Sequence, residues 1–76
     1  MLRITPTNWK KQVKIFEAFG CKFIRQKGDH LIFDKEGIKR PVVIPKYSEV
    51  PVTVIKSNMR TAGMTREKYL ELLNNI

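Results

Sequence analysis

An α+β fold is predicted from the sequence. Its elements run in the order α-β-β-β-α, with one three-stranded antiparallel sheet and helices packed on one face. Three observations carry that prediction. Apolar residues recur at helical spacing between positions 5 and 20. Two turn signals, "GD" at 28–29 and "KEG" at 35–37, divide positions 21–45 into three short runs of strand character. Helical spacing returns from Pro51 and is broken once, at Gly63.

The first helix is expected near 6–19. Thr5 fits an N-cap, and Pro6 then takes the first helical position, where its missing N–H costs nothing. Ile4 and Trp9 have the spacing of a hydrophobic staple. Trp9, Val13 and Phe16 form the apolar stripe, widened by Ile15 and Phe19, with Lys10, Lys11 and Lys14 on the other side. Gly20 is the left-handed stop.

Strands are expected near 21–27, 30–34 and 39–44. In "CKFIRQK", Cys21 and Phe23 point one way, and Lys22, Ile24 and Gln26 the other. Pro41 and Pro45 confine the third run, "KRPVVIP", to a sheet edge or to strand ends, because neither donates a ladder hydrogen bond. The uncovered sheet face should carry Lys22, Gln26 and other polar side chains. After the polar connection "KYSEV", helices are expected near 51–62 and 65–74, one helical region broken at Gly63. Val52, Ile55, Met59 and Ala62 give the first of them its apolar face. The β-branched Val52, Val54 and Ile55 leave a short fourth strand open as an alternative. Thr65 caps the second, Met64 and Tyr69 make another staple, and Tyr69, Leu70, Leu72 and Leu73 form its apolar side.

Seventy-six residues are expected to make a single domain spanning 1–76, with 42% hydrophobic and 29% charged residues. A chain of this size buries only about 60% of its unfolded surface, too little for both a core and a large cofactor cleft. No apolar run approaches a membrane span and no signal-peptide core follows Met1, so a cytoplasmic protein without a membrane partner is expected. Cys21 is the single cysteine and reads as a small buried hydrophobe. Fifteen Lys and Arg against seven Asp and Glu give a formal charge of +8. That excess suits a phosphate-bearing partner, though an acidic protein would also satisfy it.

Metal chemistry is not expected, since one histidine and one cysteine offer no ligand spacing such as CxxC or HExxH. Phosphate-loop and dinucleotide glycine patterns are absent, and no small-molecule cofactor is expected. Asp29 and Asp34 flank a strand and read as turn and solubility residues. What remains is His30, in "QKGDHLIF", just after a glycine turn. An unperturbed imidazole, with a pKa of about 6.5, takes a proton from a ribose 2′-hydroxyl at neutral pH. Lysine and arginine can stabilise the charge that develops on phosphorus when the 2′-oxygen attacks. A histidine chosen only for strand and turn compatibility is the competing explanation.

"FGCKFIRQKGDHLIF", "RPVVIP" and "MRTAGMTREKYLELL", in that order and spacing, resemble the HicA (YcfA-like) family of toxins from bacterial toxin–antitoxin pairs. The resemblance runs from about Val13 to Leu73. It implies a fold like the double-stranded-RNA-binding domain, ribosome-independent cleavage of mRNA, and neutralisation by a HicB-type antitoxin. The family's active histidine falls on His30 and its motif glycine on Gly28. Four departures stand out: Asp29 where Ser is usual, Cys21 where Phe is usual, Lys46 where a second histidine is common, and Asn58 within an otherwise apolar helical run. An endoribonuclease would use His30 as general base, with Lys22, Arg25 and Lys27 as phosphate contacts and Lys46 as a weaker one. Two other classes remain open: a non-catalytic module gripping RNA by shape and phosphate, and a subunit whose charge matches an acidic protein.

Overall fold

Helix α1 spans Trp9–Ala18, starting later than the spacing predicts. Asn8, not Thr5, is the N-cap; its side chain accepts the backbone N–H of Lys10 at 2.8 Å. The physical reason lies far along the chain. Thr7 forms an antiparallel bridge with Val50, with amide-to-carbonyl bonds in both directions, so the segment before Asn8 is held extended. Pro6 further disfavours helical backbone at Thr5. Ile4 and Trp9 still pack against the core, but not as a staple. The computed structural model describes residues 3–76.

At its other end α1 closes as expected. Gly20, with φ +107°, donates to the Glu17 carbonyl, and Cys21 donates to that of Phe16. These two bonds are the Schellman pattern, which turns the chain sharply into the sheet.

Strands β1 (Lys22–Lys27), β2 (His30–Asp34) and β3 (Val42–Pro45) form an antiparallel sheet in that order, with β2 central. β3 starts later than expected, because Lys39 and Arg40 bend before Pro41 instead of pairing. Leu31 and Phe33 of β2 pair with Ile44 and Val42 of β3, and all four are buried on one face. Helix α2 (Val52–Ala62) covers them with Ile55, Met59 and Ala62, and α1 with Ile15 and Phe16. The β-branched start of α2 is helical, so the fourth-strand alternative falls. Gly63 (φ +75°) ends α2, and Thr65 caps α3 (Arg66–Asn74) by accepting the Lys68 N–H. Met64 and Tyr69 are both buried, as a staple requires.

Two polar side chains are built into this core. Asn58 donates to the Val43 carbonyl at 2.9 Å, occupying a backbone acceptor of β3. What reads in the sequence as an interruption of an apolar face is thus a clamp on an edge strand. Gln12 is fully buried and donates to the Tyr69 hydroxyl at 2.7 Å, tying α1 to α3, while its own amide oxygen has no partner among the described residues.

The helices cover β2 and β3 but not β1, every residue of which is exposed. Phe23 is 52% exposed and makes an edge-on contact with Phe33, ring centroids 5.7 Å apart. Among the described residues no helix is long and apolar enough to cross a membrane.

Candidate catalytic face

The position of His30 follows from the turn before it. Lys27 pairs with His30, leaving Gly28 and Asp29 as a two-residue hairpin loop. Gly28 has φ +59° and Asp29 does not have positive φ, the pattern of a type II′ turn with glycine first. The Gln26 side chain donates to the Gly28 carbonyl at 2.9 Å, and the Lys46 amide donates to the Asp29 carbonyl at 2.7 Å. His30 is therefore held at the start of the central strand, paired with Lys27 on one side and with Pro45 on the other, with its side chain exposed.

Residues directly paired across a sheet share a face. The pairing puts Lys27 beside His30, and Arg25 opposite Ile32, diagonal to His30 on the same face. Simple alternation would then turn Lys22 toward the helices. A β-bulge between Phe23 and Arg25 prevents this, because Ile24 is the extra residue. Beyond it, Phe23 pairs with Phe33 on the core side and Lys22 with Asp34 on the open side. The expectation that Lys22, Ile24 and Gln26 alternate together is thus corrected. Gln26 pairs with Leu31 on the helix-side face, while Lys22, Arg25, Lys27 and His30 share the open one.

The cations are not equally close. Lys27 stands directly across from His30, at a Cβ separation of roughly 5 Å, and Arg25 is one diagonal away, roughly 7–8 Å. Lys22 lies at the far end of β1 and faces an acid, Asp34. Lys46 is brought beside the hairpin turn by its amide bond to Asp29, but its ammonium lies 5.1 Å from the centroid of the Trp9 ring. Lys10 approaches the same ring at 5.8 Å. Trp9 itself donates its amide to the Tyr47 carbonyl, which draws the start of α1 toward the His30 end of the sheet. Sequence reasoning did not connect Lys10 with this cluster, because the link is a tertiary contact at one indole. Among the described residues none of Lys22, Arg25, Lys27 and Lys46 forms an ion pair, and of the three on β1 only Lys22 has an acid paired across from it.

Cys21 is 3% exposed, and burial pushes its thiol pKa up; Lys35 opposes this and Asp34 adds to it. It is a core residue, as its sequence context predicts. Among the described residues no group of three or more His, Cys, Asp or Glu could hold a metal ion.

Fold and face together define a class: a small, strongly basic α+β protein that presents one imidazole among unpaired cations on an uncovered sheet. Comparison with known families makes that class particular. The model described as the HicA toxin of bacterial toxin–antitoxin matches residues 9–64, from the start of α1 through the whole sheet and α2. The chain belongs to the HicA toxin family, and with it come the role of a toxin and an antitoxin as partner. No curated protein matches the chain.

Proposed function

We propose that this toxin is an endoribonuclease that cleaves mRNA and so blocks translation, with His30 as general base and a HicB-type protein as its antitoxin. The observation that supports it most is the sharing of one exposed face by His30, Lys27 and Arg25, neither cation being ion-paired among the described residues. A single RNA strand on that face has its phosphates near the cations. The neutral imidazole removes the proton of a ribose 2′-hydroxyl, and the 2′-oxygen attacks the adjacent phosphorus. Lys27 and Arg25, with Lys46 from the side of the turn, stabilise the added negative charge on the phosphorane oxygens. The 5′-oxygen then leaves, taking a proton from water at this open site, and a 2′,3′-cyclic phosphate remains. Gly28 shapes the turn that holds the base, and Lys22 contacts a phosphate further along the strand.

His30→Ala tests this reading. The side chain is exposed, so the variant should melt within a few degrees of wild type. Cleavage of RNA should fall by roughly 10²–10⁴-fold, the range for a lost acid–base group, and growth arrest should disappear. Antitoxin affinity should stay within about tenfold of wild type, since one exposed ring is a small part of an interface. A variant that folds normally and still cleaves sinks the assignment. A wild-type protein that binds RNA and never cleaves it makes the fold a non-catalytic RNA-binding module.

A further inference from the structure

We propose that the groove between the β2–β3 loop and the C-terminal half of α2 is a second phosphate site, holding the flank of the same RNA strand that His30 is proposed to cut. The inference rests on that reading of the substrate. The groove has a volume of about 510 Å³ and is lined by Lys39 and Arg40 from the loop and by Ser57, Arg60 and Thr61 from α2. Positions 57, 60 and 61 are one helical face, so a guanidinium and two hydroxyls are presented together. The bend at Lys39 and Arg40 that shortens β3 puts two more cations on the opposite wall.

Charge decides the ligand's sign. The C-terminus of α2 contributes about half a negative charge, against three full positive ones. Among the described residues no carboxylate forms an ion pair with Lys39, Arg40 or Arg60. Guanidinium forks match phosphate oxygens in pairs, and hydroxyls donate to the same oxygens. The lining argues against an acidic protein as occupant. It contains no aromatic residue and only Ile38 and Ala62 as apolar contacts, whereas the buried centre of a protein interface is more apolar and depleted in charge. A nucleic-acid backbone needs no such centre.

Position gives the groove a distinct task. His30 begins β2, whereas the groove's loop follows the end of β2, so the two sites are separated by at least the strand's length, ~13 Å at ~3.3 Å per residue. At ~3.4 Å per stacked nucleotide, a strand reaching both extends at least about four nucleotides from the scissile phosphate. The groove therefore adds affinity and leaves the chemistry alone.

The experiment compares wild type with Arg40→Ala/Arg60→Ala on two single-stranded RNAs, one of about 12 nucleotides and one of about 3, too short to span. On the long RNA the variant should raise KM with kcat unchanged. The slope of log K against log salt should become shallower by about 0.7 per phosphate lost, ~1.4 for two. The short RNA should not distinguish the two proteins. Arg40→Lys/Arg60→Lys should keep the wild-type slope. Lys11→Ala/Lys14→Ala, which removes the same charge from the exposed side of α1, should keep it as well. Both arginines are exposed, so melting should not move, and the lysine pair controls for any change in fold. Equal slopes for wild type and the alanine variant on long RNA overturn the groove alone, and so does an equal loss in the Lys11/Lys14 control. Loss of antitoxin binding with RNA binding intact assigns the groove to an acidic protein and also overturns it. A wild-type protein with no salt-dependent RNA affinity removes both this inference and the ribonuclease reading.

Discussion

Replacing Tyr69 by Phe removes one oxygen from the interior and tests how this small core tolerates its buried amide. Gln12 is fully buried; among the described residues its amide nitrogen bonds to the Tyr69 hydroxyl and its amide oxygen is already without a partner. Exchanging the amide's two ends in the same pocket would leave the other end unpaired instead. In Tyr69→Phe both ends are orphaned, and a buried polar group stripped of its partner costs about 1–3 kcal/mol. For a domain of this size each kcal/mol moves the melting temperature by roughly 4–8 °C, so a fall of roughly 5–20 °C is expected. Gln12→Leu alone strands only the hydroxyl and should cost less. Gln12→Leu/Tyr69→Phe removes every polar atom of the cluster and should melt at or above wild type, because the pre-existing orphan oxygen goes as well. Thermal and urea unfolding of the four proteins, followed by far-UV circular dichroism, gives the full cycle. If the double variant is as unstable as Tyr69→Phe, packing rather than polar satisfaction sets the stability here. If Tyr69→Phe lies within about 0.5 kcal/mol of wild type, the hydrogen bond contributes nothing and the reasoning fails.

Gly28→Ala meets no atom within 4 Å of the added methyl, so its whole effect is the strain of positive φ, about 1–3 kcal/mol. A chemically synthesised chain with D-alanine at 28 should recover that loss, and equal melting of the two alanine chains would refute the turn assignment. Cys21 has a raised pKa in the folded chain, so below the unfolded thiol's pKa, about 8.5, its protonation adds no pH dependence. Above that pH the unfolded state has released a proton the folded state retains, so stability should fall as pH rises; Cys21→Ala should flatten that alkaline slope in denaturation curves, and an unchanged slope counts against the assignment. Lys22→Thr/Arg25→Thr/Lys27→Thr should keep the fold yet scatter light at lower temperature than Lys22→Glu/Arg25→Glu/Lys27→Glu, because only the second keeps charge on the exposed strand; identical onset temperatures would rule out edge protection by these residues.

The elements that were legible in the sequence are those set by neighbours along the chain. Thr65 caps α3, Gly20 and Gly63 stop their helices, and "GD" makes the hairpin that presents His30, each by chemistry contained within a few residues. What escaped depends on a partner far away in sequence. Thr5 and Asn8 are both capping residues by composition, and the bridge from Thr7 to Val50 holds the segment before Asn8 extended. Alternation within β1 predicts two faces but cannot show a bulge, because a bulge is a property of the register with β2. Asn58 reads as an interruption of an apolar face until the Val43 carbonyl is beside it, and Lys46, read in the sequence as a weaker phosphate contact, shows its link to the start of α1 only when Trp9 lies under its ammonium.

The two edges of the sheet are handled oppositely, and the contrast bears on where the site can be. β3 is packed against α2, and Asn58 takes up one of its carbonyls. β1 is left uncovered on both faces and is held by its ladder to β2 and by the Phe23–Phe33 ring contact. An uncovered edge strand carrying two large apolar residues, Phe23 and Ile24, invites pairing with other chains. Natural sheets suppress that with charge and with bulges, and β1 has both: Lys22, Arg25 and Lys27, and the extra residue at Ile24. The bulge also sets Lys22 on the face of Arg25, Lys27 and His30. Covering β1 with a helix would remove the need for edge protection and would also shut this face from any strand of RNA. The exposure of β1 and the exposure of His30 are therefore one structural choice, and the cations that keep the edge from pairing are those proposed to hold the phosphates.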